Sequence, residues 1–323
     1  MKKLAIGIDL GGTNIRVALG DNEGHILTKL IERTEKTKGP EGVSEQIIRM
    51  IRSIQAEKIK VSEIQGIGIG SVGPLDLNRG GLMKPTNIPY DFVPLVEPLE
   101  DAFSLPTRLL NDCAAGVMGE RFFGVGAGHE NLAYITLSTG IGGGIYVDGH
   151  LLVGKDGNAH EIGHFTIDFD GHLQCACGKK GHWEAYCSGN GIPNYARLLL
   201  KEKRTEELKG CLLLETVGGD LEKITAKTLY DAAKAGDQIS KAIAKKIGVL
   251  NAIGFASVVD AYDPSLITVG GSIALKNNIL VIDPIRRHVN EHARNRVPEI
   301  VITPLEDDVV LYGALAMVFH QSE

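Results

Sequence analysis

The sequence of 323 residues predicts an α/β protein built as two lobes of like topology. Three observations carry that reading. Apolar runs of strand length alternate with stretches of helical periodicity along the chain. Its 40 glycines, about 12% against a usual ~7%, cluster at the ends of apolar runs, where they mark tight turns and close backbone approach. The chain also repeats itself. Leu132–Leu137, a glycine-rich turn at Ser138–Gly144 and Ile145–Val147 reproduce the strand, turn and strand of Leu4–Asp9, Leu10–Thr13 and Asn14–Leu19. Asp148-Gly-His-Leu-Leu152 then echoes Asp21-Asn-Glu-Gly-His-Ile-Leu27. Two copies of one supersecondary unit indicate an internal duplication.

The elements follow in order. Leu4–Asp9 reads as a buried strand, Asn14–Leu19 alternates as a second, and Gly20–Gly24 turns the chain before Ile26. Val43, Ile47, Ile48 and Ile51 give a helical face over Gly42–Ile54. Ile64–Ile69 and Pro106–Leu110 are strands, the second ending at Asn111-Asp112. Beyond the repeated unit, residues 190–261 are largely helical, Leu266–Ser272 is a strand running into a glycine turn, and Asp307-Asp308 starts a last helix over Val309–His320.

Composition narrows the function. A 43% apolar content supports a substantial core. A net charge of −6 with well-mixed signs gives no footprint for nucleic acid or an anionic membrane. The opening MKKLAIGIDLGG is not a secretory signal, and nowhere do about 18 apolar residues run together. Five cysteines form no disulfide framework in a chain this long. Cys175-Ala-Cys177 in an unexported protein points to metal before disulfide. The expectation is a soluble cytoplasmic protein.

Several motifs compete for meaning. Gly68-Ile-Gly-Ser-Val-Gly73 has dinucleotide-fingerprint spacing, but that motif needs a helix to open at its last glycine, and Pro74-Leu-Asp-Leu-Asn-Arg-Gly-Gly81 cannot sustain one. Asp9-Leu-Gly-Gly-Thr13 and Ser138-Thr-Gly-Ile-Gly-Gly-Gly144 both join strand to strand. Each alone reads equally as an ordinary hairpin. As a matching pair with an acid at one strand end, they favour phosphate clamping by backbone N–H groups, with Asp9 available to Mg²⁺. Val269-Gly-Gly-Ser272 is a third such turn, without reactive side chains. His160-Glu-Ile-Gly-His164 spells the zinc-protease pattern, yet Gly163 and Thr166-Ile167 are poor helix formers and Gly157-Asn158 signals a loop. The next candidate ligands, Cys175 and Cys177, are not the usual third ligand of a protease zinc. The protease reading is set aside.

Taken in order, Asp9-Leu-Gly-Gly-Thr13, Asn111-Asp112, Ser138-Thr-Gly-Ile-Gly-Gly144, Glu161-Ile-Gly-His164 and Cys175-Ala-Cys-Gly-Lys-Lys-Gly-His-Trp-Glu184 resemble the ROK family of sugar kinases over essentially the whole chain. The resemblance implies the actin-like, ribonuclease H-like ATPase/sugar kinase fold. It places a small N-terminal lobe at residues 1–113 plus 309–323, and a large lobe with the zinc loop and helical region at 114–308. It implies ATP-dependent phosphorylation of a hexose, foremost glucose at its 6-hydroxyl. Mannose, fructose, N-acetylmannosamine and N-acetylglucosamine are the alternatives. A sugar-sensing repressor, the reading from a different class, carries a DNA-binding module ahead of the first turn, for which a first strand starting at about Leu4 leaves no room.

Residue by residue, the resemblance makes Asp112 the base toward the reacting hydroxyl. Gly12, Gly73, Asn87, Asn111, Glu161, His164 and Glu184 become sugar contacts. Asp9, Gly11, Gly12, Thr13 and Asn14 form the first phosphate turn with Mg²⁺, Thr139 and Gly140 the second, and Gly271 the turn near adenosine. Arg16, beside the first turn, is as readily a surface residue. Asn111-Asp112 equally suits a helix N-cap, and both roles are compatible. A structural Zn²⁺ is implied at His164, Cys175, Cys177 and a fourth ligand. The sequence departs from the family pattern there: a histidine, His182, stands where a third cysteine is usual, and the His164–Cys175 segment is about one residue longer. His182 is chosen, with Cys187 as its rival and buried, metal-free thiols as the bland alternative. His172 reads as a solvated loop residue. The family implies a homo-oligomer, a dimer or higher, and two lobes closing over the substrates.

Overall fold

The computed structural model describes residues 2–55, 63–85, 88–159 and 161–320. The chain begins with strands β1 (Leu4–Leu10), β2 (Asn14–Asp21) and β3 (Ile26–Arg33), helix α1 (Gly42–Gln55) and β4 (Ile64–Ser71). Three short strands, β5 (Leu75–Asp76), β6 (Gly81–Met83) and β7 (Phe92–Pro94), form a small sheet of their own. Then come α2 (Val96–Phe103), β8 (Thr107–Asn111) and α3 (Asp112–Phe123). The repeated unit follows as β9 (Leu132–Leu137), β10 (Ile141–Val147) and β11 (His150–Leu151). The helical region holds α4 (Glu184–Cys187), α5 (Gly191–Lys201), α6 (Leu212–Thr216), α7 (Ala226–Lys234) and α8 (Gln238–Tyr262). Strand β12 (Leu266–Gly270), α9 (Ser272–Lys276), α10 (Asn278–His288), β13 (Glu299–Ile302) and α11 (Val309–Phe319) complete it.

The duplication is visible in topology. One five-stranded sheet has the order β3-β2-β1-β4-β8, and the other β11-β10-β9-β12-β13. In the first, β1 pairs antiparallel with β2 and parallel with β4, and β4 pairs parallel with β8. In the second, β10 and β11 are antiparallel and β12 and β13 parallel. By contacts the chain divides into two compact units, one of Met1–Tyr134, Gly144–His160 and Thr303–Glu323, the other of Ile135–Gly143 and Glu161–Ile302.

In the first unit, side-chain alternation sorts the two faces of the sheet. Ile6, Ile8 and Leu10 of β1 and Ile67 and Ile69 of β4 join Val43, Ile47, Met50, Ile51 and Ile54 of α1 in one buried cluster. The opposite face is made flat by glycine. A Cβ on Gly7 would lie 2.9 Å from Leu311 O, and Cβ atoms on Gly68 and Gly70 would collide with Ala314 O and the Val310 side chain. Helix α11 therefore lies directly on β1 and β4, and Gly313 lets it approach α3 at Ala115 O as closely. This accounts for the dinucleotide-like spacing: Gly68 and Gly70 seat a helix, and Gly73 leads into strand β5 where the fingerprint would open a helix. Gly68→Ala is expected to cost about 3 kcal/mol through overpacking against backbone. An unchanged urea midpoint would refute that account.

In the second unit, α8 is the central helix, burying Ile243, Ile247, Ala252, Phe255, Val258 and Val259. It is apolar and long enough to cross a membrane by length and composition, but 61% of its most apolar window is buried inside the protein. The chain's one tryptophan, Trp183, is fully buried on it. The ring occupies the space that a Cβ on Gly254 would need, meets Phe255 edge-on at 5.6 Å, and donates from Nε1 to Asn251 Oδ1 at 2.8 Å.

Strand β10 starts at Ile141, earlier than the Ile145 expected from its glycines. Gly142, Gly143 and Gly144 lie inside the strand, and Gly144 is required there because a Cβ would collide with Cys113 O of α3.

Candidate active site

In the first unit, three parallel strands end side by side. Register places Asp9 opposite Gly70 and Ser71 opposite Asn111, so β1, β4 and β8 deliver Asp9, the Ser71–Gly73 turn and Asn111-Asp112 to one edge. Ligands gather at such carboxyl ends in open α/β sheets. The turn after β1 is fixed by its own backbone. Gly11 N donates to Asn14 O at 3.0 Å, Thr34 Oγ1 to Gly11 O at 2.7 Å, and Thr34 N to Thr13 O at 2.9 Å. Thr13 and Asn14 are exposed at its tip.

Asp9 is buried, and Arg16, opposite it in the β1–β2 register, donates from Nη1 to Oδ2 at 2.5 Å. Burial pushes the Asp9 carboxyl up from its usual range, Arg16 pulls it down, and Asp308 and Asp307 add to the rise. Arg16 thus belongs to the turn, although sequence alone left it as readily on the surface. The signal was there: seven residues across a tight hairpin is the spacing that pairs it with Asp9.

Asn111 caps α3, its Oδ1 accepting from Cys113 N at 2.9 Å. Asp112 is the first helical residue, and its Oδ1 accepts from the same N–H at 2.8 Å. Both residues are half-buried, and Gly73 is exposed nearby, with the Asn111 amide 3.9 Å from where a Gly73 Cβ would stand. Asn87 lies outside the described residues.

The second unit gathers the other set. His164 stands in a single 3₁₀ turn, Ile162–His164, and His160 lies outside the described residues. Ligand atoms of His164, Cys175, Cys177 and His182 all lie within 4.8 Å of one another. Cys175 Sγ is 3.8 Å from His164 Nδ1, and Cys177 Sγ 3.3 Å from His182 Nδ1. Bond lengths for tetrahedral Zn²⁺ give S–N edges of roughly 3.6 Å; these two edges lie near that value, and a donor set of two thiols and two imidazoles is compatible with that ion. Cys187 is not in the group: fully buried in α4, it donates to Ile247 O at 3.7 Å. The scaffold is a tight turn, with Cys175 N donating to Lys179 O and Gly178 N to Cys175 O. Burial pushes the Cys175 thiol up to about 11.

Three consecutive residues tie this group to the rest of the unit. His182 faces the thiols, Trp183 plugs into the core on α8, and Glu184 reaches the second glycine turn. Glu184 Oε2 accepts from Ile141 N at 2.8 Å, and a Cβ on Gly140 would lie 2.6 Å from that oxygen. Its Oε1 lies 3.8 Å from Cys175 Sγ. The turn is further held by Gly189 N donating to Ser138 O and Asn190 N to Thr139 O. Gly271, at φ +86° beneath Leu137 O, and Ser272, whose Oγ lies 3.4 Å from Ser138 Oγ, bring the third glycine turn beside it.

Glu161 is exposed, with its carboxylate 3.6 Å from His164 Nε2. His164 therefore turns Nδ1 to the sulfurs and Nε2 to Glu161. His172 is an exposed loop residue, as expected, and its N–H and ring also bond to Asp168, which accepts from Tyr186 OH as well. Despite burial, these bonds hold Asp168 at about 2.

Comparison with known proteins gives the family and the fold. The chain is 37% identical over 320 residues to a glucokinase of Pyrobaculum calidifontis, covering 98% of this chain and 96% of the relative. It is 33% identical over 317 residues to a glucokinase of Thermotoga maritima, with 97% and 96% covered. Its structure matches the crystal structure of a ROK family glucokinase from Streptomyces griseus in complex with glucose and AMPPNP, at a TM-score of 0.76, 32% identity, and coverage of 97% and 98%. That fold is the actin-like sugar kinase fold expected from the sequence. The model of the ROK family matches residues 5–321, and the chain belongs to the ROK family.

Proposed function

We propose that this protein transfers the γ-phosphoryl group of ATP to glucose, at its 6-hydroxyl, in the cytoplasm. The observation that carries the reading is the orientation of His164. An imidazole fixed on one edge by the Cys175 side presents its other edge, beside the Glu161 carboxylate, as an N–H and acid pair suited to adjacent sugar hydroxyls. Family membership and the full-length likeness to glucokinases support the same reaction.

In this reading His164, Cys175, Cys177 and His182 hold a structural Zn²⁺. Four N/S ligands make a closed site, so the ion supplies shape and ligand orientation only. Asp9 offers the carboxylate toward Mg²⁺ with ATP. Gly11, Gly12, Thr13 and Asn14 flank one end of the triphosphate, Thr139 and Gly140 the other, and Gly271 the adenosine. Gly12, Gly73, Asn87 and Asn111 contact the sugar, together with Glu161, His164 and Glu184. The bond of Glu184 to Ile141 N makes it a strut between the sugar side and the second turn.

Phosphoryl transfer passes through a loose transition state, so positioning dominates. Asp112, held by Cys113 N, orients the sugar hydroxyl and accepts its proton as the new P–O bond forms.

Coupled ADP release with Mg-ATP across glucose, mannose, fructose, N-acetylmannosamine and N-acetylglucosamine tests the proposal. Turnover on glucose, alone or shared with mannose, is expected. An acetylated sugar preferred over glucose would keep the reaction and replace the substrate. No turnover on any sugar would overturn the kinase reading and favour a binding role.

A further inference from the structure

Helices α3 and α11 approach through glycine, Gly119 of α3 standing where a Cβ would collide with Val309 O. The next residue, Glu120, is the charged exception among the buried residues of α3. Its carboxyl group is fully buried, and burial pushes its pKa up while a hydrogen bond from Thr303 opposes the rise. An acid in such a place needs a reason, since burial of a charge is expensive. Its contact supplies one. Thr303 Oγ1 donates to Glu120 Oε1 and at the same time accepts from Leu305 N at 3.1 Å. The hydroxyl is therefore a clamp with both sides engaged.

What it clamps is the turn from Pro304 to Asp308. Glu306 there has φ +50°, a left-handed conformation that side chains avoid unless their surroundings impose it. The turn ends in a short 3₁₀ segment, Glu306–Asp308, that runs into α11. It sets Asp307 and Asp308 where their charges act on Asp9, and it gives Asp308 to Lys29 at 2.6 Å. With Arg16, Lys29, Ile31 and Tyr312 it walls a cleft of about 450 Å³ beside the first phosphate turn. Four carboxylates, Asp9, Glu306, Asp307 and Asp308, thus share this corner with two cations, Arg16 and Lys29.

We propose that Glu120 is a positioning residue for the first phosphate turn: acting through Thr303, its buried carboxyl group fixes the strained 304–308 turn and so sets the charge around Asp9. The inference rests on the reading of Asp9 as the Mg²⁺-linked acid of a kinase. It places a determinant of Mg-ATP use two helical turns away from Asp112, on the same helix but outside the reacting atoms.

The test compares wild type with Thr303→Val, Thr303→Ser and Glu120→Asp. The readouts are KM for Mg-ATP, the free Mg²⁺ concentration giving half-maximal rate, KM for glucose, and calorimetric binding of Mg-ADP. Thr303→Val keeps the shape and deletes the clamp, and Glu120→Asp withdraws the acceptor by one methylene. Both are expected to raise KM for Mg-ATP and the Mg²⁺ midpoint about tenfold and to weaken Mg-ADP binding in parallel, with KM for glucose near wild type. Thr303→Ser is expected to restore wild-type constants. A merely structural role would lower Tm without separating the two substrates.

Folded Thr303→Val or Glu120→Asp protein with unchanged Mg-ATP and Mg²⁺ constants would overturn the proposal, as would equal shifts for both substrates or a Thr303→Ser protein as impaired as the valine variant. Should Thr303→Val fail to fold, Glu120→Asp decides on the same readouts. Wild type in the same assay separates the two levels: an inactive wild type sinks the kinase reading, whereas an active one with unmoved variants sinks only the role of Glu120.

Discussion

Asp112→Ala is expected to lower kcat for glucose phosphorylation by about 10³-fold, a loss of the size that removal of a positioned general base produces, while the sugar still binds. The expectation follows from where the residue sits. Asn111 already caps α3, so losing the Asp112 side chain leaves the helix start intact. The sugar contacts proposed at Glu161, His164 and Glu184 do not involve it. What disappears is the acceptor for the hydroxyl proton and the group that aims the oxygen. Asp112→Asn separates those two roles, because the amide keeps an oxygen for Cys113 N but cannot take a proton. It should be as slow as the alanine variant. Calorimetric glucose binding beside steady-state kinetics checks both variants; turnover within tenfold of wild type in either would remove Asp112 from the chemistry.

The second large effect concerns metal. Purified protein is expected to carry one zinc per chain, and Cys177→Ser or His182→Ala to lose it. With the metal gone, KM for glucose should rise by about 10- to 100-fold, the range in which disturbed ligand orientation costs metal sites their function, with a smaller change for Mg-ATP. Global unfolding is not expected, because the loop is anchored on its far side by Trp183 in the core and by the bond of Glu184 to Ile141 N. Elemental analysis and kinetics before and after chelation, with zinc added back, check this. Cys187→Ser serves as the contrast: its sulfur, in α4, faces Ile247 O of α8, so zinc content should be unaffected. Loss of zinc there with retention in His182→Ala would reverse the ligand assignment.

Much of this was legible in the sequence, because the informative features are local. The β1 turn and the helical face of α1 rest on spacing within some twenty residues, and both stand in the structure where spacing put them; the duplication shows in the sheet order as well, with β10 starting four residues early. The clustering of His164, Cys175, Cys177 and His182 also needed only a short loop to close. What was not legible depends on contacts between distant segments. Nothing near Gly144 says that this glycine lies within β10, since the reason for it is the backbone of α3 at Cys113. Glu184 read as a sugar contact alone, because its tie to Ile141 N spans 43 residues. Glu120 raised no signal at all; its partner Thr303 lies 183 residues away.

The character of α8 has a consequence outside the folded state. A helix of 25 residues that is apolar enough to suit a lipid bilayer is harmless only while Trp183 and the other elements packed on it cover it. On a ribosome, or after heating, the same segment becomes a long adhesive strip. Exposed apolar surface of that kind makes partly folded chains prone to associate. Where such association outruns refolding, working lifetime is set by how rarely the second unit opens rather than by an equilibrium between native and unfolded forms.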